Sequence, residues 1–294
     1  MSRVHRVSIL VLLLSGFTIG WKYHDEEHWP SLCKSGKMQS PIDLETNEAT
    51  PVFYTPFVWE NYFTQAQARV KNNGHSAEVR LKLDAENVPE VKGGNLPNVY
   101  VLDHLHFHWH SEHTVDGSSY PLELHLVHHA KQYGNLTEAL KDPQGVAVFG
   151  VLFDISPDDD NLLKPLISVM KSVKSNNDLR EMDNFNVLYF LPRDTAGYFR
   201  YDGSLTTPGC NEGILWTVFT NTLPISKQQV EAFAEINDSE GKNLQENFRS
   251  LQEPNDRKIL IKISPVRSRS SGSMMNTASV IVLIGSVYLF AIMY

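Results

Sequence analysis

The stretches His104-Leu105-His106-Phe107-His108-Trp109 and Glu123-Leu124-His125-Leu126-Val127 decide how this chain folds. Polar and apolar residues alternate through the first, which is the period of a half-buried strand and not of a helix. Side chains two apart on a strand point to the same face. His106 and His108 can therefore reach one metal ion, and His125 can complete a three-imidazole site. Three protein ligands leave a tetrahedral Zn²⁺ with one open position, the catalytic arrangement rather than the structural one. Alternation alone leaves the register open, because His104, His106, His108 and His110 share the expected face and His108–His110 is also an H-x-H pair.

Eight of the twelve histidines (104, 106, 108, 110, 113, 125, 128 and 129) fall in one 26-residue span. A polar strand face or a chance His-rich tract is the plain alternative. The neighbours weigh against it. Leu105, Phe107 and Trp109 give the segment an apolar opposite face, and Val101, Leu102 and Val127 add aliphatic bulk. Imidazoles gathered on one strand face need something to offset their desolvation, and a metal whose ligands are themselves hydrogen-bonded would do so.

The 294-residue chain is long enough for one large domain or two small ones, and an apolar fraction of 41% supports a sizeable core. A formal net charge of −8 and the lack of a basic stripe argue against a nucleic-acid binder. Val101–His110, Leu122–Ala130, Val146–Phe153, Val187–Leu191, Ile214–Phe219 and Ile259–Ile263 read as strands. Ala68–Leu83 reads as two strands around the turn signal Asn72-Asn73-Gly74. Asn161–Lys174 carries an apolar stripe at 162, 163, 166, 167, 170 and 173, behind three aspartates suited to a helix N-terminus. Ser226 and Gln229 form a capping-box pattern opening a helix over Lys227–Ile236. The expected fold class is mainly β (α+β): a single domain over residues 21–266 with peripheral helices.

Both ends point to the secretory route. Arg3 and Arg6 precede the apolar run Val7–Leu14, which ends in Ser15-Gly16, so residues 1–20 read as a signal peptide, with an uncleaved signal anchor as the alternative. Met274–Tyr294 is almost wholly apolar, and no Lys or Arg follows it. Residues 267–294 read as a glycosylphosphatidylinositol (GPI) attachment signal, with Ser270, Ser271 and Gly272 as candidate anchor sites. A plain membrane helix is the other reading of this tail. The only two cysteines, Cys33 and Cys210, suggest one disulfide in a secreted chain. Asn135-Leu136-Thr137 and Asn237-Asp238-Ser239 are glycosylation sequons that fit the same route.

Ser111-Glu112-His113-Thr114-Val115, Tyr120 and Glu123-Leu124-His125-Leu126, together with the upstream H-x-H, resemble the signature of the alpha-class carbonic anhydrases. The resemblance extends in order through Trp21-x-Tyr23, Glu27-His28-Trp29, Gln39-Ser40-Pro41-Ile42-Asp43, Asn72-Asn73-Gly74-His75 and Ser204-Leu205-Thr206-Thr207-Pro208. It covers roughly residues 21–264 and points to the secreted, membrane-anchored (GPI-type) subgroup, whose members carry a disulfide where Cys33 and Cys210 stand. It implies a central, twisted, mostly antiparallel sheet of about ten strands with zinc at the floor of a conical cleft. It also implies reversible hydration of CO₂ to bicarbonate and a proton.

The resemblance also assigns roles. His106, His108 and His125 are the zinc ligands, and Glu123 and His104 are partners of the ligand rings. Thr206 orients the nucleophile and is itself held by Glu112. His75 shuttles the proton, with Tyr23 and Asn73 ordering the intervening waters. Val127, Val148, Leu205, Thr207 and Trp216 line the substrate pocket, and His113 is a buried structural histidine. Three features depart from the pattern: His104 stands where many members have glutamine, Glu78 where Asn or Gln is common, and the loop after Trp109 is short, as in bacterial members. Two rival readings are weaker. A carbonic-anhydrase-like binding module that has lost catalysis would typically lack a zinc histidine, and another class of zinc hydrolase would be expected to show H-E-x-x-H, which is absent.

Overall fold

The computed structural model describes residues 21–264. The proposed signal peptide and the tail with Ser270, Ser271 and Gly272 lie outside the described residues.

The two histidine strands, Tyr100–Trp109 and Leu122–Ala130, pair antiparallel at the centre of a 13-stranded sheet. Outward on one side lie Ala77–Lys82, Ala66–Asn72 and Leu179–Phe185. On the other lie Val146–Ser156, Glu212–Phe219, Tyr198–Ser204, Leu260–Lys262 and Thr50–Pro51. Most neighbours run antiparallel, but Val146–Ser156 runs parallel to Glu212–Phe219 and to Leu223–Ser226, so the sheet is mixed. The mainly β class with few helices therefore holds, with more strands than expected.

Alternation sorts the strands' side chains between two apolar clusters. Leu105, Phe107, Leu124 and Leu126 enter the larger one, on the face away from the histidines. Val127, Val148 and Trp216 belong to a second cluster. The small helices lie at the periphery. Lys227–Ala234 opens with the expected capping box: Gln229 N donates to the Ser226 hydroxyl, and Ser226 N donates to the Gln229 side chain.

Three local expectations fail for physical reasons. Val187–Phe190 is a 3₁₀ turn capped by Asn186, whose side chain accepts from Leu188 N. A short apolar run does not distinguish a strand from a buried turn. The helix expected over Asn161–Lys174 shrinks to Lys164–Met170: the Asp159 carboxylate accepts from the Ser226 hydroxyl, and the Asp160 carboxylate accepts from Leu162 N in the turn before the helix, so neither caps it. His110 lies past the end of its strand with φ +63° and turns toward Phe248, so three and not four strand imidazoles share the face.

Cys33 and Cys210 form a disulfide across a sequence separation of 177. It ties the N-terminal segment to the loop before Glu212–Phe219, within a cluster of Tyr23, Trp29 and Trp21. Closing so long a loop restricts the unfolded chain, and the paired Cys33→Ser, Cys210→Ser variant is expected to lose about 2–4 kcal/mol of stability. Urea unfolding checks this; an unchanged midpoint would contradict it.

Candidate metal centre

Strand pairing assembles the site. His106 lies opposite His125 and His108 opposite Glu123, while His125 faces Gly150 on its other side. Gly150 leaves room there: a Cβ would stand 3.0 Å from Glu123 Oε1 and 3.2 Å from Val218, tighter than ordinary contact.

The ligand-type atoms of His106, His108 and His125 all lie within 4.8 Å of one another. His125 Nδ1 is 3.3 Å from His106 Nε2, and His108 Nε2 is buried without a hydrogen-bond partner. The far nitrogens point away from this centre. His108 Nδ1 donates to Asn247 O at 2.6 Å, and His125 Nε2 donates to Glu123 Oε1 at 2.8 Å. His106 Nδ1 is buried with no partner.

Burial holds all three imidazoles neutral. It pushes His106 well below its ordinary value, lowers His125, and takes His108 down to about 4 although the Asn247 carbonyl pulls upward. Neutral imidazole is the form that binds a metal. Three neutral rings with converging nitrogens, two of them fixed from behind, fit one zinc ion with an open fourth position.

Glu123 anchors the site from below. Its carboxylate accepts from the backbone amides of Glu112 and His113 at 2.9 and 2.8 Å, and from the rings of His113 and His125 at 2.7 and 2.8 Å. Burial pushes its pKa up, but His113 and His125 outweigh burial and hold it well below the usual range. His113 Nε2 in turn accepts from the Tyr201 hydroxyl, which accepts from Ser40. This is the buried structural role expected of His113.

Glu112 is fully buried, with Oε2 3.4 Å from His108 Nε2 and 3.9 Å from His125 Nδ1. Burial pushes its carboxyl up to about 7, with the His125 ring and the Thr206 hydroxyl pulling the other way. Thr206 is itself buried. Val127 pairs with Val148, and Val148 with Trp216, making a continuous apolar wall against which Leu205 packs. The Trp216 ring centre lies 4.8 Å from that of His125, so the wall abuts the metal centre. Thr207 is half-buried in the turn after Thr206, its carbonyl accepting from Cys210 N.

His75 sits apart from the three rings, stacked on Trp21 with ring centres 3.8 Å apart. Both line a cavity of about 250 Å³ with Tyr23 and Glu246. Burial lowers the His75 pKa, against a smaller upward pull from Asp238. Asn73 Oδ1 accepts from His75 N and Ser76 N, so this side chain builds the turn that presents His75. Tyr23 is buried, with its ring edge-on to His108 at 6.2 Å.

Two site residues carried no sequence signal. Asn247 accepts from His108 Nδ1 through its carbonyl and from Trp109 N through its side chain. Arg249 donates its amide to Glu112 Oε1, and its guanidinium to Gln39, to Ser40 O and to Cys33 O. Both sit in an irregular segment, where no periodicity marks a residue.

Residues 24–263 match the family model of the eukaryotic-type carbonic anhydrases. The chain is 34% identical over 248 residues to a putative carbonic anhydrase 3 of Caenorhabditis elegans, covering 82% of this chain and 96% of that protein. It is 31% identical to carbonic anhydrase 4 of Rattus norvegicus, covering 85% and 81% of the two chains. It is 34% identical to carbonic anhydrase 7 of Homo sapiens, covering 79% and 93%.

Glu123 sets an acid limit on the fold. Its folded pKa lies below the ordinary 4.5, so the stability it lends is present above pH 4.5 and is lost as pH falls through the folded value. Glu123→Gln is expected to lower stability near pH 7 by about 2–4 kcal/mol, because an amide cannot accept all four donors. It should also flatten the loss of stability below pH 4.5. Urea unfolding of chelator-treated protein between pH 3 and 7 checks both; an unaltered acid limb would contradict this account.

Proposed function

The chain belongs to the eukaryotic-type carbonic anhydrases, zinc-dependent enzymes that interconvert CO₂ and bicarbonate, and from that premise we propose that His106, His108 and His125 hold the zinc and that the enzyme works at the extracellular face of the cell membrane. The observation that carries the site reading is the convergence of three neutral ring nitrogens, two of them fixed from behind by Asn247 and Glu123. A bound zinc supplies Lewis acidity that makes a water nucleophilic near neutral pH, chemistry for which carbonic anhydrases are the standard example.

The chain's own residues supply the rest. Glu112 accepts the hydroxyl proton of Thr206, which leaves the Thr206 oxygen to accept from the attacking water and so orient it. Val127, Val148, Leu205 and Trp216 offer an apolar wall to CO₂, with Thr207 at its edge. Bicarbonate, being charged, gains little from that wall, which favours its release. His75 passes the product proton outward: an ordinary imidazole titrates near neutrality, and burial lowers His75 from there, so it gives the proton up readily. Asn73 leaves only its amide NH₂ free to order water, because its carbonyl oxygen already accepts two backbone amides. Tyr23 meets both groups: its ring is edge-on to His108, and it lines the cavity that His75 lines.

The location rests on separate support: the N-terminal apolar run, the tail with Ser270, Ser271 and Gly272, and a disulfide that fits an oxidising compartment. Among the described residues no helix is long and apolar enough to cross a membrane. Asn135 is exposed, and its Oδ1 accepts from Glu138 N, leaving its nitrogen open to a glycan. Asn237 is half-buried beside Asn243, a tighter setting for one.

Stopped-flow CO₂ hydration on the expressed protein, with zinc counted in the same sample, tests the reading. One zinc per chain and fast hydration are expected, and His108→Ala should remove both. His75→Ala should keep its zinc and lose roughly tenfold in turnover in dilute buffer, with recovery on adding imidazole. A folded, zinc-free wild type would sink the metal-centre reading. Release from intact cells by a phosphatidylinositol-specific phospholipase is expected for the lipid anchor; retention would favour a membrane helix.

A further inference from the structure

The three candidate ligand rings are not held alike. His108 and His125 each have an acceptor on the nitrogen that faces away from the metal centre, whereas His106 Nδ1 is buried with none. A ligand imidazole without such a partner has nothing polar to fix its plane. His104, two residues upstream on the same face, does not supply one. Its ring lies over the His106 ring, with centres 5.1 Å apart and planes 26° from parallel.

His104 is held in that stack from outside. Its Nδ1 donates to Asp103 Oδ1 at 2.7 Å. The same oxygen accepts from Arg80 Nη1 at 2.8 Å, and Arg80 Nε donates to Glu78 Oε1 at 2.6 Å. The register irregularity between Leu102 and His104 makes this possible, because in a regular strand Asp103 would face away from His104. Glu78 and Arg80 share one face of the neighbouring strand, and Glu78 lies opposite His106 itself.

We propose that Glu78, Arg80, Asp103 and His104 form a chain of positioning residues that fixes the plane of His106 by ring stacking, in place of a hydrogen bond to its Nδ1. This rests on the reading of His106 as a zinc ligand. The outer end of the chain is the Arg80 side chain, which is 46% solvent-exposed, so zinc retention is coupled to an ion pair at the surface. Salt screens exposed pairs, and zinc loss should quicken with ionic strength more steeply here than in a variant lacking the pair.

The test is zinc affinity, measured by competition with dipicolinate on Arg80→Met and Asp103→Ala, with the visible spectrum of the cobalt(II)-substituted protein as a second readout. Each variant is expected to bind zinc roughly tenfold more weakly and to shift the cobalt bands. Adding His104→Gln to Asp103→Ala should restore affinity, because an amide oxygen can accept from His106 Nδ1. Lys82→Met, which breaks the exposed Lys82–Glu181 pair on the same strand, should change nothing. Wild-type affinity in both Arg80→Met and Asp103→Ala, or a loss that His104→Gln does not repair, overturns the positioning role. A wild type that binds no zinc overturns the metal-centre reading beneath it.

Discussion

The pairing of Tyr100–Trp109 with Leu122–Ala130 is the constraint on which the site depends. It sets His106 opposite His125 and His108 opposite Glu123. Strand side chains alternate with period two, so a slip of one residue would carry His125 and Glu123 to the other face. Leu105, Phe107, Leu124 and Leu126 prevent that slip, because it would move all four out of the larger core. The apolar face thus enforces a register that the polar face uses. Burial of the leucines drives the assembly, and the imidazoles are carried into place although their own desolvation opposes it.

Glu123 absorbs most of that opposition. One carboxylate accepts two backbone amides and two imidazole rings, which fixes the His113 and His125 tautomers together. Through His113 the same network reaches Tyr201, Ser40 and Ser204. Gly150 and Gly203 leave room at its two ends. A Cβ at 203 would stand 2.2 Å from Ser40 Oγ and 2.8 Å from Trp216. A buried ionic network of this kind contributes more to one defined geometry than to net stability, since its desolvation offsets much of the attraction.

What could be read from the sequence follows from which physics is local. The histidine strands declared themselves because alternation is visible over ten residues. The Ser226 cap did so because both its hydrogen bonds lie within four residues. The two cysteines had only one intramolecular pairing available. The failures share the opposite character. Val187–Phe190 and Val146–Ser156 are both apolar runs, and only the second finds strand partners on both sides. Asp158 to Asp160 look like a helix start, but Ser226, 67 residues away, takes the Asp159 carboxylate, and the Asp160 carboxylate closes only a short turn at Leu162. Asn247 and Arg249 act from an irregular segment across separations of 137 or more residues, so nothing near them in the chain could reveal their partners. The irregularity at Asp103 was equally hidden, since a bulge keeps the composition of a strand and changes only its register.

Arg249 joins two features that otherwise look separate. Its guanidinium donates to Cys33 O, at the disulfide, and its amide donates to Glu112 Oε1, beneath the metal centre. The disulfide therefore does more than shorten the unfolded chain. It holds the segment that carries Trp21 and Tyr23, and Trp21 is the ring on which His75 stacks. The three imidazoles of the candidate centre themselves hang on the two central strands, with Arg249 and Glu112 standing between them and that staple. Loosening the N-terminal segment should then disturb the surroundings of His75 before it disturbs the three ligand rings. Under the proposed roles the division is physically reasonable: bond-making needs fixed rings on paired strands, whereas proton export needs only a titrating group at a cleft edge, here presented by the turn at Asn73 and stacked on the tethered segment.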